Sequence, residues 1–92
     1  MTQQHLVGEL SELISLLEPV PGEWLAGAVH ALRRQVECSS VCALTPLAAE
    51  ATTIAEMICW VSLDRGDTSG FARQSAAAAR LHEFAVSANL LP

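Results

Sequence analysis

The chain has 92 residues, of which 51% are hydrophobic and 16% charged, and its formal net charge is −5. Disordered segments have the reverse balance, so a single folded domain over residues 1–92 is expected. All five basic residues are arginine and there is no tyrosine. The composition therefore excludes Schiff-base chemistry on lysine, acid–base chemistry on tyrosine and a basic nucleic-acid-binding surface.

Helical periodicity begins near the N-terminus. Leucines, valine and isoleucine at one-turn spacings predict a first helix from Gln3 to Glu18. The segment Pro19–Gly22 ends it, because proline cannot continue the helical hydrogen bonds. A second helix is predicted from Glu23 to Glu37 or Cys38, with apolar residues again at helical spacing.

The third helix is predicted to begin at Thr45–Pro46, an N-cap residue followed by proline at the first helical position, and to run to Asp64. From Ile54 onward its residues are apolar on nearly every side. This pattern is typical of a helix at the centre of a core or at an interface.

Arg65–Gly66–Asp67 is the predicted turn into a fourth helix over residues 69–88. Glycine can adopt the left-handed conformation that ends a helix, and Asp67 or Thr68 can cap the next one. No segment alternates with period two, so the sequence predicts an all-α fold. Four antiparallel helices joined by short turns form either an up-down bundle or αα-hairpins completed by dimerisation.

The N-terminus lacks the basic stretch and apolar run of a secretory signal. The longest apolar-rich stretch, 54–63, is half the length of a membrane span and contains Glu56. Three cysteines cannot form a closed disulfide framework within one chain, so reduced thiols in a cytoplasm are expected. Frequent alanine and the absence of lysine resemble high-GC bacterial coding.

Large apolar side chains supply the candidate interface. They are Leu16, Trp24, Met57, Trp60 and Phe71. Tryptophan is enriched at interface hot spots and methionine at adaptable surfaces. The same side chains also suit a core, and the sequence leaves both interpretations open.

Cys38 and Cys42 form a C-x3-C pair, a spacing that places both sulfurs on one face if the segment is helical. With Cys59 or one of the histidines His5, His30 and His82, the pair is a candidate zinc or copper site. The alternatives are a labile disulfide and small hydrophobic side chains in a core.

No nucleophile motif, phosphate loop or paired acid–base set is present. The sequence therefore favours a small helical interaction or regulatory accessory protein, most simply a homodimer. A ligand- or metal-responsive sensor using Cys38 and Cys42 is the alternative. A minimal enzyme near Trp60, Glu56 and a histidine ranks last, because no reaction class can be named for it.

The segment from Trp60 to Ala79 resembles the helix–turn–helix unit of tetratricopeptide repeats in its Trp-x3-Asp-x-Gly-Asp turn and following alanines. It departs from the repeat at Phe71, where a small residue is expected, and it occurs once, whereas such repeats stack on neighbours. The resemblance favours an interaction role and does not assign the family.

Overall fold

Four α-helices make up the fold. The computed structural model describes residues 2–91, apart from the side chains of Val41 and Cys42. The helices are α1 (Gln3–Ser15), α2 (Glu23–Glu37), α3 (Val41–Asp64) and α4 (Thr68–Ser87). No strand occurs between residues 2 and 91, so the predicted all-α class is confirmed.

Neighbouring helices run antiparallel and close into a bundle within one chain. Gln3 at the start of α1 donates from Nε2 to the carbonyl of Ser39, just after α2, at 3.2 Å. At the opposite end of α1, Arg73 near the start of α4 donates to the carbonyl of Glu18 at 2.8 Å. α1 packs against both α2 and α4, and α3 does the same, whereas α2 and α4 do not meet. The arrangement is the predicted up-down bundle, with α1 and α3 in contact across its centre.

The core is aliphatic and contains no aromatic side chain among its fully buried members. Each helix contributes residues mostly at three- and four-residue spacings, and the larger apolar ones that are completely buried within helices are Leu10, Ile14, Leu25, Val29, Val36, Leu44, Ile58 and Leu81. Hydrophobic burial of about 1.5–3 kcal/mol for each such side chain is the main favourable contribution to folding.

Two predicted helix boundaries are wrong. α3 begins at Val41 rather than at Thr45, which leaves Pro46 inside the helix without an N–H to donate. The extra turn is retained because Leu44 within it is completely buried. α1 ends at Ser15 rather than Glu18, and the chain then tightens, with the N–H of Leu17 donating to the carbonyl of Ile14.

The predicted turn between α3 and α4 is confirmed. Gly66 has a φ of 76°, and its N–H donates to the carbonyl of Leu63 at 3.0 Å. The N–H of Asp67 reaches the carbonyl of Ser62, also at 3.0 Å, which completes a Schellman motif. The Asp67 carboxylate then accepts from the N–H of Gly70 at 2.9 Å and caps α4.

A buried amide links three segments of the chain. Gln74 is 1% exposed and lies on the inner face of α4. Its Oε1 accepts from the hydroxyl of Ser62 on α3, and its Nε2 donates to the carbonyl of Pro19 at 3.2 Å. The Arg73 guanidinium donates to the same carbonyl at 3.0 Å. Both residues donate to carbonyl groups of the connection that follows α1, where no helical N–H is available to them.

Within residues 2–91, none of the helices combines the length and the hydrophobicity of a membrane span.

Gly70 is a position in α4 where replacement by alanine should not give the stabilisation that is usual in a helix. Alanine normally stabilises a helix interior relative to glycine, but a Cβ at Gly70 would overlap the Asp67 carboxylate. We expect Gly70→Ala to leave the free energy of unfolding in urea unchanged or lowered by up to about 1 kcal/mol, because loss of the cap offsets the usual gain from alanine. Gly27→Ala is the matched control, since nothing lies within 4 Å of its added Cβ. It should raise stability by about 0.5–1 kcal/mol, and a rise in both variants would contradict the cap.

The hydrogen bond between Ser62 and the buried amide of Gln74 can be tested by substituting each residue alone and both together. Ser62→Ala and Gln74→Leu should each destabilise the fold by about 1–3 kcal/mol, because each leaves a buried polar group without its partner. The double variant should cost less than the sum of the two by about 0.5 kcal/mol or more. Urea unfolding of the four proteins measures this coupling, and simple additivity would show that the two side chains do not interact.

Candidate protein-interaction surface

The inward face of α3 is built mainly from small side chains. Positions 44, 48, 51, 55, 58 and 62 are buried, and they comprise three alanines, one serine, one leucine and one isoleucine. Because successive helical residues are rotated by about 100°, this face and the outward face are filled by different residues. The large side chains Met57, Trp60 and Leu63 fall on the outward face.

These three side chains form a row on the surface of α3. Their exposed fractions are 39% for Met57, 69% for Trp60 and 44% for Leu63. Residues three apart on a helix are surface neighbours, with about 5–6 Å between their Cβ atoms. Trp60 therefore stands between two apolar neighbours on the same helix.

Trp24 is the other highly exposed tryptophan, and it lies in the first turn of α2. A Cβ placed on Gly22 would lie 3.7 Å from Trp24 Cδ1 and 3.6 Å from Arg65 Nη2. The Trp24 indole, 64% exposed, therefore lies near the Arg65 guanidinium, and Arg65 lines a cleft with Ser62 and Gln74. We call Met57, Trp60 and Leu63 the tryptophan surface.

The tryptophan surface has an acidic border. α3 contains Glu50, Glu56 and Asp64 but no arginine, lysine or histidine. All three carboxylates are exposed, and Glu56 and Asp64 lie one helical turn before and after Trp60. Within residues 2–91, the ion pair found joins Arg33 to Glu18 at 3.8 Å and involves none of them.

Three of the five arginines lie away from this surface. Arg73 binds the carbonyl groups after α1, and Arg33 lies beside Glu18. Arg80 lines a cleft between α1 and α4 with Glu9 and Glu83. Positive charge is thus concentrated around α1, while α3 is purely acidic. Arg65 beside Trp24 is the arginine nearest to the tryptophan surface along the chain.

The structure places two of the five predicted interface residues, Met57 and Trp60, one turn apart on α3, whereas Trp24 lies on α2 near Arg65. Leu16 is 37% exposed but lines a different cleft, between α1 and α4. Phe71 is half-buried on α4. Sequence reasoning missed Leu63, although its position three residues after Trp60 was the available signal. The interface itself stays a prediction.

The alternative that the large side chains belong to the core is wrong for the two tryptophans, which are the most exposed large apolar residues described. It is partly right for Phe71, which is half-buried. Aromatic size was therefore a poor guide to burial in this chain.

The cysteines of the predicted metal site do not lie on one continuous helix, as the C-x3-C argument assumed. Cys38 is the exposed C-cap residue of α2, residue 42 lies in the first turn of α3, and the side chain of Cys42 is outside the described part. Cys59 is seventeen residues further along α3, which is about 26 Å, so it cannot complete a site there. Its Sγ instead accepts from the Ser75 hydroxyl at 3.8 Å.

The histidines occupy three different helices, with His5 on α1, His30 on α2 and His82 on α4, and all three are exposed. Among the side chains that are described, no three His, Cys, Asp or Glu residues come close enough to hold a metal ion. A zinc or copper site at Cys38 and Cys42 stays a prediction.

Comparisons of the chain with protein-family models, curated proteins and solved structures found no match. Residues 60–79 contain the last five residues of α3, a turn and the first twelve residues of α4. That arrangement alone assigns no family, and function is inferred from the surface itself.

The exposure of Trp60 predicts that folding does not need it. We expect Trp60→Ser to change the free energy of unfolding by no more than about 0.5 kcal/mol, as for ordinary surface substitutions. Leu25→Ala is the contrasting variant, since Leu25 is completely buried, and it should cost about 2–5 kcal/mol. Urea unfolding measures both, and a loss of several kcal/mol at Trp60 would place its indole in the core.

Proposed function

We propose that the protein is a small helical interaction protein, an accessory or regulatory subunit that binds another protein through the tryptophan surface. The observation that supports this is the position of Trp60, which is 69% exposed at the centre of an apolar row on a helix whose other face is buried.

The composition of the surface fits such a role. Isolated exposed apolar residues are normal on soluble proteins, but a methionine, a tryptophan and a leucine at three-residue spacings on one helix form a larger patch. Tryptophan supplies a large rigid contact area and is over-represented among residues that dominate binding energy. Methionine adapts to irregular partner surfaces.

Two kinds of partner satisfy this proposal. One is a second copy of the chain, as in the homodimer expected from the sequence, and the other is a different protein. In either case the bundle core is already closed within one chain. Binding therefore covers an existing surface and does not complete the fold. The composition and thiols favour a bacterial cytoplasm as the place of action.

Site-specific photocrosslinking tests the proposal for both kinds of partner. Benzoylphenylalanine replaces Trp60 in full-length protein expressed in cells that naturally make the chain. We expect irradiation to produce a discrete covalent product from this position, because the side chain is buried against the partner in the complex.

The matched control carries the same photoreactive residue at Glu12, an exposed position on α1. It should give little or no product. Equal products from the two positions would indicate random collisions, and no product from position 60 would refute the proposed function. The mass of the product distinguishes a second copy from another protein.

A further inference from the structure

We infer that the partner bound by the tryptophan surface is a basic amphipathic helix of another protein. This inference rests on the proposed function and specifies its partner. The helix would lie along the outer side of α3, place apolar residues on Met57, Trp60 and Leu63, and direct lysine or arginine toward the flanking carboxylates.

Charge complementarity is the first reason. Glu56 and Asp64 flank Trp60 at four residues on either side, and Glu50 continues the acidic border toward the middle of α3. All three are exposed and none forms an ion pair within the described residues. A partner with arginine or lysine at its rim would gain favourable electrostatics, which raise association rates and select against acidic partners.

The same charges disfavour a second copy at this site. A two-fold symmetric interface applies one patch to an identical patch. The two α3 helices would then bring six carboxylates into one interface, with no basic residue from either α3 to pair with them. Each chain also carries a net charge of −5, so the pair would begin at −10. Juxtaposed like charges cost binding energy.

The shape of the surface favours a helix over an extended strand. Met57, Trp60 and Leu63 form a row along a helix axis, and all backbone groups between residues 45 and 64 belong to α3, so no sheet edge is available. A helix laid beside this row presents apolar residues at one-turn spacings, as in helix-in-groove recognition. The segment from Glu50 to Asp64 is about 21 Å long, which a partner helix of four turns covers.

The Trp60 indole adds to the preference for positive charge. Trp60 is 69% exposed, so its ring is accessible to a partner. Lysine and arginine bind favourably over the face of an indole. A basic helix thus gains from the apolar row, the carboxylates and the aromatic ring together.

A synthetic peptide tests the inference on the full-length protein. The probe is a leucine–lysine peptide of about 18 residues, long enough to fold as an amphipathic helix, and the comparison peptide has glutamate in place of every lysine. Fluorescence anisotropy of labelled peptide gives the dissociation constant, and tryptophan emission reports burial of the Trp60 indole. We expect the lysine peptide to bind and to shift the emission to shorter wavelength, and the glutamate peptide to do neither.

Matched variants separate a local site from general attraction to an acidic protein. Glu56→Gln/Asp64→Asn removes two charges from the tryptophan surface, and Glu12→Gln/Glu83→Gln removes two exposed charges from α1 and α4. We expect the first to weaken binding of the lysine peptide by about tenfold and the second by less than about twofold. Trp60→Ala should weaken binding by at least about tenfold.

Several outcomes would overturn the inference. If the two charge variants weaken binding of the lysine peptide equally, the peptide is attracted to the acidic protein in general and not to a local site. Absence of peptide binding, or binding that Trp60→Ala does not affect, would remove the basic-helix partner. Sedimentation velocity of the free protein should show a monomer, and a dimer that Trp60→Ala dissociates would assign the surface to a second copy. In that last case the crosslink at position 60 would still support the proposed function.

Discussion

The side-chain amide of Gln74 is the interaction on which the arrangement of the helices depends. It lies in the core, accepts a hydrogen bond from Ser62 on α3, and donates one to the carbonyl of Pro19 in the connection after α1. A buried amide without partners costs free energy, so this side chain is satisfied only when three segments of the chain meet in one register. Aliphatic packing supplies most of the stabilising energy, but it tolerates small rotations of a helix that the hydrogen bonds do not.

The exposed tryptophan follows from this constraint. Ser62 must face inward to reach Gln74, and helical geometry then directs Trp60, two residues earlier and about 200° away around the axis, toward the outside. Rotating α3 to bury Trp60 would withdraw Ser62 from the amide and replace the alanines at 48, 51 and 55 with bulkier groups. A single orientation of α3 therefore has two results. The small residues of α3 let it approach its neighbours closely, and its large residues are exposed.

The presence of four helices was predictable from hydrophobic periodicity, and the α3–α4 turn was predictable because Gly66 and Asp67 mark it directly, whereas Thr45–Pro46 misplaced the start of α3. The rotation of α3 and α4 about their own axes was harder to predict. Hydrophobic periodicity centres a helix on its large apolar residues, whereas the buried line of α4 passes through Gly70, Gln74 and Ala77. Phe71, a large apolar residue near the start of α4, lies half-buried beside that line. On α3 the apolar residues surround the axis, so no periodic signal distinguished an inward Ala55 from an outward Trp60.

The distribution of charge connects the fold to the proposed surface. Arg73 binds the carbonyl groups after α1 and Arg33 lies beside Glu18, so two of the five arginines support the closure of α1 against its neighbours. The carboxylates of α3, on the outer side of the helix across the bundle from α1, are left without such partners among the described residues. A basic helix that binds there would contact neither Gln74 nor the arginine contacts at α1. Recognition would then add a fifth helix to an intact bundle, and the stability of the fold and the affinity for the partner would be determined by different residues.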